Sequence, residues 1–175
     1  MTYIIAQILG LIVTLLNIVM YQVKRKWHIL AIAALGNFVN AANFFFLGGA
    51  LSAAIISIVG GVQSVLAAHH AYNAKTASNT EKVIFLCAYL ACGIWQYNTY
   101  IDLLPALGSL FFMLAAFQKE AQKIRIYQLF NSLLWLSYSL ILASTAAFAQ
   151  IFSLVSIIVG LYRFRHKKTE TEVTA

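Results

Sequence analysis

The stretch Asn17-Ile18-Val19-Met20-Tyr21-Gln22-Val23-Lys24-Arg25-Lys26-Trp27-His28-Ile29-Leu30 closes one apolar run, places three cations in a row, and opens the next run. Apolar chain on both sides of Lys24-Arg25-Lys26, with no basic residue before it, reads as a crossing that ends on the cytoplasmic side, because loops there collect Lys and Arg. A secretory leader carries the reverse charge order and a small-residue cleavage site, so the first run is predicted to remain as a span. The other basic residues repeat the pattern. Lys75 and Lys82 follow the third apolar run, Lys119, Lys123 and Arg125 the fifth, and Arg163, Arg165, Lys167 and Lys168 the seventh. Connections after the second, fourth and sixth runs hold Asp102 and no basic residue. An odd count of seven crossings, N-terminus outside and C-terminus cytoplasmic, accounts for all twelve Lys and Arg.

The predicted spans are 4–22, 28–47, 51–70, 83–99, 103–118, 125–143 and 146–163. A hydrocarbon core of about 30 Å takes about 20 residues of helix, so the fourth and fifth runs are short and need snorkelling flanks or local thinning. Tyr3, Trp95, Tyr97 and Tyr100 suit the outer interface; Tyr21, Trp27, Tyr72, Tyr127 and Tyr162 suit the inner one. The turns at Leu47-Gly48-Gly49-Ala50 and Ala143-Ser144-Thr145 are tight enough to make the helices they join antiparallel neighbours. A chain 62% hydrophobic and 10% charged belongs in a bilayer. Its net charge of +7 sits just beyond the cytoplasmic helix ends, where it attracts anionic headgroups and offers no basic face for nucleic acid.

Residues 8–70 laid on residues 104–165, at an offset of about 95 or 96, show an internal repeat. Tyr21-Gln22 falls on Phe117-Gln118, Asn40 and Asn43 on Trp135 and Tyr138, and Ser57, Gly60 and Ser64 on Ser153, Ser156 and Gly160. One linker helix between two triplets gives both the same orientation, the parallel-repeat case. The expected organisation is a three-helix repeat over 1–72, a cytoplasmic loop and linker helix over 73–100, a second repeat over 101–166, and a polar tail over 167–175. The Ser/Gly stripes are expected to pack helices inside each repeat.

Asn37, Asn40 and Asn43 span about 120° of one face of the second helix, and Gln128, Asn131, Trp135 and Tyr138 share a face of the sixth. An amide facing lipid tails leaves its polar atoms unpaired at a cost of a few kcal/mol, so both faces are expected to look inward. If the repeats face each other, Asn40 and Asn43 stand opposite Trp135 and Tyr138. Amides and rings there suit a small neutral polar solute. The competing reading is hydrogen bonding between helices with no ligand.

No ionisable residue lies in the middle of a span, which argues against ion-driven pumping. Catalysis, a metal site and a cofactor are not expected. His28, His69, His70 and His166 lie at the cytoplasmic border with no suitable carboxylate or thiol near, and adjacent His69 and His70 point apart on a helix. Cys87 and Cys92 lie about 140° apart on one helix and cannot bridge. Asp102 is expected to be a helix-start residue.

Four blocks carry a likeness: Ala6-Gln7-Ile8-Leu9-Gly10, Asn43-Phe44-Phe45-Phe46-Leu47-Gly48, Leu103-Leu104-Pro105-Ala106-Leu107-Gly108, and Leu161-Tyr162-Arg163-Phe164-Arg165. By them the chain resembles the bacterial inner-membrane YgjV-like proteins over nearly its whole length, which implies a location but no substrate. The three-plus-one-plus-three plan is also similar to the SWEET and PQ-loop carriers, in which two parallel bundles rock about a central site on Pro-Gln hinges. The corresponding pairs here, Tyr21-Gln22 and Phe117-Gln118, lack proline, and Pro105 lies early in the fifth span. The function expected is an uncoupled transporter or facilitator for a small neutral polar solute, contacted by Asn40, Asn43, Asn131, Trp135 and Tyr138. The alternative is a non-transporting membrane assembly or scaffold protein.

Overall fold

A computed structural model describes residues 2–47, 51–97, 99–141 and 146–164. Those residues form seven α-helices and one short 3-10 turn, with no strand among them. The helices are α1 (Thr2–Gln22), α2 (Lys26–Leu47), α3 (Leu51–Tyr72), α4 (Asn79–Gln96), α5 (Leu103–Ala116), α6 (Ala121–Ile141) and α7 (Ala146–Arg163). The segments 48–50 and 142–145, which hold the tight turns of the sequence reading, lie outside the described residues, as does the tail from residue 165 onward.

Three helices are long and apolar enough to cross a membrane: Ile4–Gln22, Lys26–Phe46 and Ala53–Tyr72. Tyr100–Ala116 and Ala147–Arg163 are apolar but shorter. α4 opens on polar residues because Ser78 forms a capping box: its hydroxyl accepts from Glu81 N–H at 3.1 Å, and Glu81 Oε2 accepts from Ser78 N–H at 2.6 Å. The helix therefore begins four residues before the apolar run that the sequence reading took as its start. Asp102 likewise accepts from Thr99 N–H at 2.8 Å and from its hydroxyl at 3.1 Å, as a helix-start residue should. Pro105 sits in the first turn of α5, where its missing N–H costs least and the helix continues unbroken.

α2 packs between α1 and α3, and α6 between α5 and α7. α7 returns against α1 and α3 touches α5, which closes six helices into a ring; α4 stands outside it, against α3 and α5. Six helices meet at the end that carries the basic residues. Met20 and Tyr21 of α1, Ile29 and Leu30 of α2, Ala67 of α3, Ala115 and Ala116 of α5, Ile124 of α6 and Ile157 of α7 form one buried cluster there. Outward-facing stripes are bare hydrocarbon, for example Leu11, Leu15 and Val19 on α1 and Phe130, Leu133 and Leu140 on α6. Stripes of that extent are an interaction surface for lipid.

The α1–α7 seam closes the ring. Ser156 Oγ donates to Ile18 O at 2.7 Å, and Gln22 Nε2 donates to both Ser156 O and Ser156 Oγ at 2.9 Å. A Cβ on Gly160 would stand 2.4 Å from Tyr21 O, a backbone atom that cannot step aside. Ser156 and Gly160 thus pack across the two halves of the chain, where the sequence suggests packing inside one half. Gly160→Ala should cost about 1–3 kcal/mol by overpacking and lower the melting temperature in detergent. Gly93→Ala, whose Cβ would meet Ala106 at an ordinary 3.4 Å, should melt close to wild type.

Candidate functional site

Asn40 and Asn43 of α2 have different fates. Asn43 is buried and its Nδ2 donates to Ala6 O at 2.6 Å, in a space left by Gly10, whose added Cβ would come within 3.1 Å of that nitrogen. It ties α2 to α1. Asn40 Nδ2 donates to Ser57 Oγ on α3 at 3.2 Å, yet its side chain remains half-exposed. Asn37 turns back on its own helix, donating to Ala33 O at 2.9 Å. The exposed apolar stripe of α2 holds Leu35, Phe38 and Phe45, and helical spacing puts Asn40 on the side opposite that stripe.

On α6 the polar residues form a string. Gln128 is buried, and its Oε1 accepts from Asn131 Nδ2 at 2.9 Å and, at a long 3.4 Å, from the Tyr21 hydroxyl on α1. Asn131 Oδ1 is buried without a hydrogen-bond partner. Trp135 and Tyr138 continue the face with their rings edge-on at 6.0 Å. Gly108 of α5 makes room for this face: a Cβ there would lie 3.0 Å from Trp135 and 3.2 Å from Asn131 Oδ1. The described contacts of Asn40 and Asn43 stay with α1 and α3, and those of Trp135 stay with α5 and α6. No described contact joins the α2 asparagines to Trp135 or Tyr138.

Two polar knots escaped the sequence reading. The first is Arg125, counted there among the cytoplasmic cations but only 1% exposed. Its Nε donates to Tyr21 O at 3.1 Å, its Nη2 to Val23 O at 2.6 Å and its Nη1 to Gln122 Oε1 at 3.1 Å, while Phe164 covers the guanidinium at 4.6 Å. The two carbonyls lie at the end of α1, which its helix leaves unpaired and which favour a cation. Arg125 thus joins the C-terminus of α1 to α6 and α7. Tyr21, expected at the inner interface, is buried beside it. The second knot is Gln63, fully buried on α3, which donates to Met113 O of α5 at 3.1 Å and accepts from the Tyr89 hydroxyl of α4 at 3.0 Å. A lone Gln among apolar residues was the available signal for it, by the same penalty that governs the asparagines.

Of the remaining candidates, Trp95, Tyr97 and Tyr100 are well exposed, as are Tyr72 and Tyr162 towards the basic end. Cys87 is exposed and Cys92 half-buried, both as free thiols. No group of three His, Cys, Asp or Glu residues suited to a metal occurs among the described residues. His70 Nε2 lies 3.0 Å from Glu81 Oε1, and that contact, with the Ser78 N–H, holds the Glu81 carboxyl below its ordinary range.

Apolar helices carrying buried amides and a cation-rich end define an integral membrane protein. The chain belongs to the Imp-YgjV family of bacterial inner membrane proteins, whose profile matches residues 4–168. No curated protein and no solved structure gives a match.

Removing the guanidinium leaves the Tyr21 and Val23 carbonyls unpaired under Phe164. Arg125→Met should therefore destabilise the protein by about 2–4 kcal/mol, given the worth of hydrogen bonds to charged groups. Arg125→Lys should recover less than half of that loss, because a compact ammonium lacks the planar fork that spans the two carbonyls and Gln122 while lying against a ring. Thermal melts of the two variants in one detergent check the order.

Proposed function

We propose that the chain crosses the inner membrane seven times, N-terminus outside, as two like-oriented three-helix units, and that it passes a small neutral polar solute between them without ion coupling. The distribution of all twelve Lys and Arg supports the orientation. The packing supports the repeat, since α7 lies on α1 as α3 lies on α5. Ile18 of α1 and Met113 of α5 each offer a carbonyl that accepts a side-chain hydrogen bond from the third helix of the other unit. Such a plan is similar to that of the SWEET and PQ-loop carriers.

One observation carries the solute site. The basic end of the ring is shut by the apolar cluster and by Arg125, and beyond it Asn40, Asn131, Trp135 and Tyr138 keep partial exposure on faces turned from the lipid stripes. Asn40 and Trp135 each lie fourteen residues past the start of their helices, Lys26 and Ala121, which is roughly 21 Å along the axis. In this reading the two residues face a common space at one height, open away from the cytoplasm. Asn131 Oδ1, buried beside Gly108 and lacking a donor, is an acceptor that a solute hydroxyl or amide would reach only when α5 and α6 part. Asn43, spent on Ala6, is a tie between helices and leaves the set of contacts.

The second reading, a membrane assembly protein, rests on the same bonds: Asn40 to Ser57 and Asn43 to Ala6 show amides used in packing. A thermal-shift screen against sugars, nucleosides and amino acids separates the two. A stabilising solute whose affinity falls at least tenfold in Asn40→Ala and in Asn131→Ala is the expected result. A solute that binds both variants as wild type rejects the site, and silence across the panel with no flux into liposomes favours assembly.

Orientation has its own measurement. In a background with Cys87 and Cys92 replaced by Ser, single cysteines at Tyr97 and Lys75 should react with an impermeant maleimide from opposite faces. Labelling of both in intact spheroplasts would rule out the odd count.

A further inference from the structure

The basic end carries a feature that solute passage does not use. A cavity of about 300 Å³ opens among Lys26 at the start of α2, Lys75 in the turn after α3, Lys82 on α4 and Lys119 after α5, with His70 and Phe117 in its wall. None of its lining residues is acidic. The carboxylate beside it, Glu81, is held by His70 and by the Ser78 N–H, and Glu120 pairs with Lys123 at 3.2 Å. The turn that carries Lys75 is fixed: Ala74 takes φ 53°, and Lys75 N–H closes onto His70 O at 2.8 Å, the six-to-one bond of a helix C-cap. Four lysines from four separate segments line one small space, with the Lys82 ammonium also donating to Asn79 Oδ1 at 3.3 Å, and their like charges favour an anion there.

A second space of about 380 Å³ adjoins the first and shares Lys82 and Phe117 with it. Its other walls are Val83 and Leu86 of α4, Met113 and Leu114 of α5, and Gln118 just after α5. Val83 is 56% exposed and Leu114 40% exposed, so the groove is open at the side. α4 packs on α3 and α5 less extensively than helices adjacent within each triplet pack on each other, and it leaves this furrow along its junction with α5.

We propose that this corner is a binding site for one anionic phospholipid, its phosphate among Lys26, Lys75, Lys82 and Lys119 and one acyl chain along the α4–α5 groove. Charge selects the head, since anionic headgroups are attracted to clustered Lys at the cytoplasmic surface. The contiguous apolar furrow selects a lipid over a soluble phosphate. A zwitterionic lipid would fill the groove equally but bring a cation to the lysines. The lipid would serve as a wedge between α4 and the ring, independent of any solute carried.

Native mass spectrometry of the full-length protein, released from mixed phosphatidylglycerol and phosphatidylcholine micelles, is the test. Retention of phosphatidylglycerol at least tenfold over phosphatidylcholine is expected, falling to near parity in the Lys26→Gln/Lys82→Gln/Lys119→Gln variant. Lys119→Gln alone, after α5 and exposed, should lower the preference by about threefold and guards against misfolding of the triple variant. Leu86→Trp, which fills the groove, should reduce phosphatidylglycerol retention while leaving any shift by glycerol 3-phosphate unchanged. Equal retention of the two lipids, or an unaltered preference in the lysine variants, overturns the site. Stabilisation by glycerol 3-phosphate or inorganic phosphate as large as that by phosphatidylglycerol also overturns it, because the groove would then contribute nothing.

Discussion

Hydrocarbon offers no hydrogen bonds, so polar groups carried into this fold look for partners within the protein. The placement of Arg125 follows from that rule and fixes much else. Its guanidinium takes the terminal carbonyls of α1, an amide oxygen of its own helix and the face of Phe164. Those contacts bind three helices from the two ends of the chain at one level. The apolar cluster beneath draws α2, α3 and α5 to the same level. Ring closure at the basic end is therefore a matter of carbonyl satisfaction as much as of apolar packing.

The two ends of the ring differ in kind. Near the basic end the seams are dry and cross-bonded. Further along, α2 and α6 present amides and rings that retain access. A carrier shut at one end and receptive at the other has this form, and an assembly module with a polar seam shares part of it. What separates them is whether the space at Asn40, Asn131 and Trp135 admits a solute.

Much of the architecture was legible in the sequence because hydropathy and charge report on the solvent a segment meets. Helix positions were readable to within a few residues wherever an apolar run met a cation or a turn. The start of α4 was misjudged because Ser78 and Glu81 extend the helix into polar sequence. Packing partners were less legible. The pairing of Ser156 and Gly160 with α1 depends on how α7 returns across the ring, and small residues record closeness without naming the neighbour. Arg125 was read by its charge, which suits a loop; only the open carbonyls of a helix more than a hundred residues earlier make its burial tolerable. Asn43 and Asn40 look alike in sequence and differ because Gly10 leaves a pocket for one of them.

The bare glycine at position 160 also sets an order of events. Because the closing seam is made by the last helix against the first, the nascent chain holds α1 in the bilayer with its terminal carbonyls unmet until α6 and then α7 leave the ribosome. Six helices are thus made before the ring can close, and a ribosome that stalls short of residue 160 leaves the α1 side of that seam without its partner.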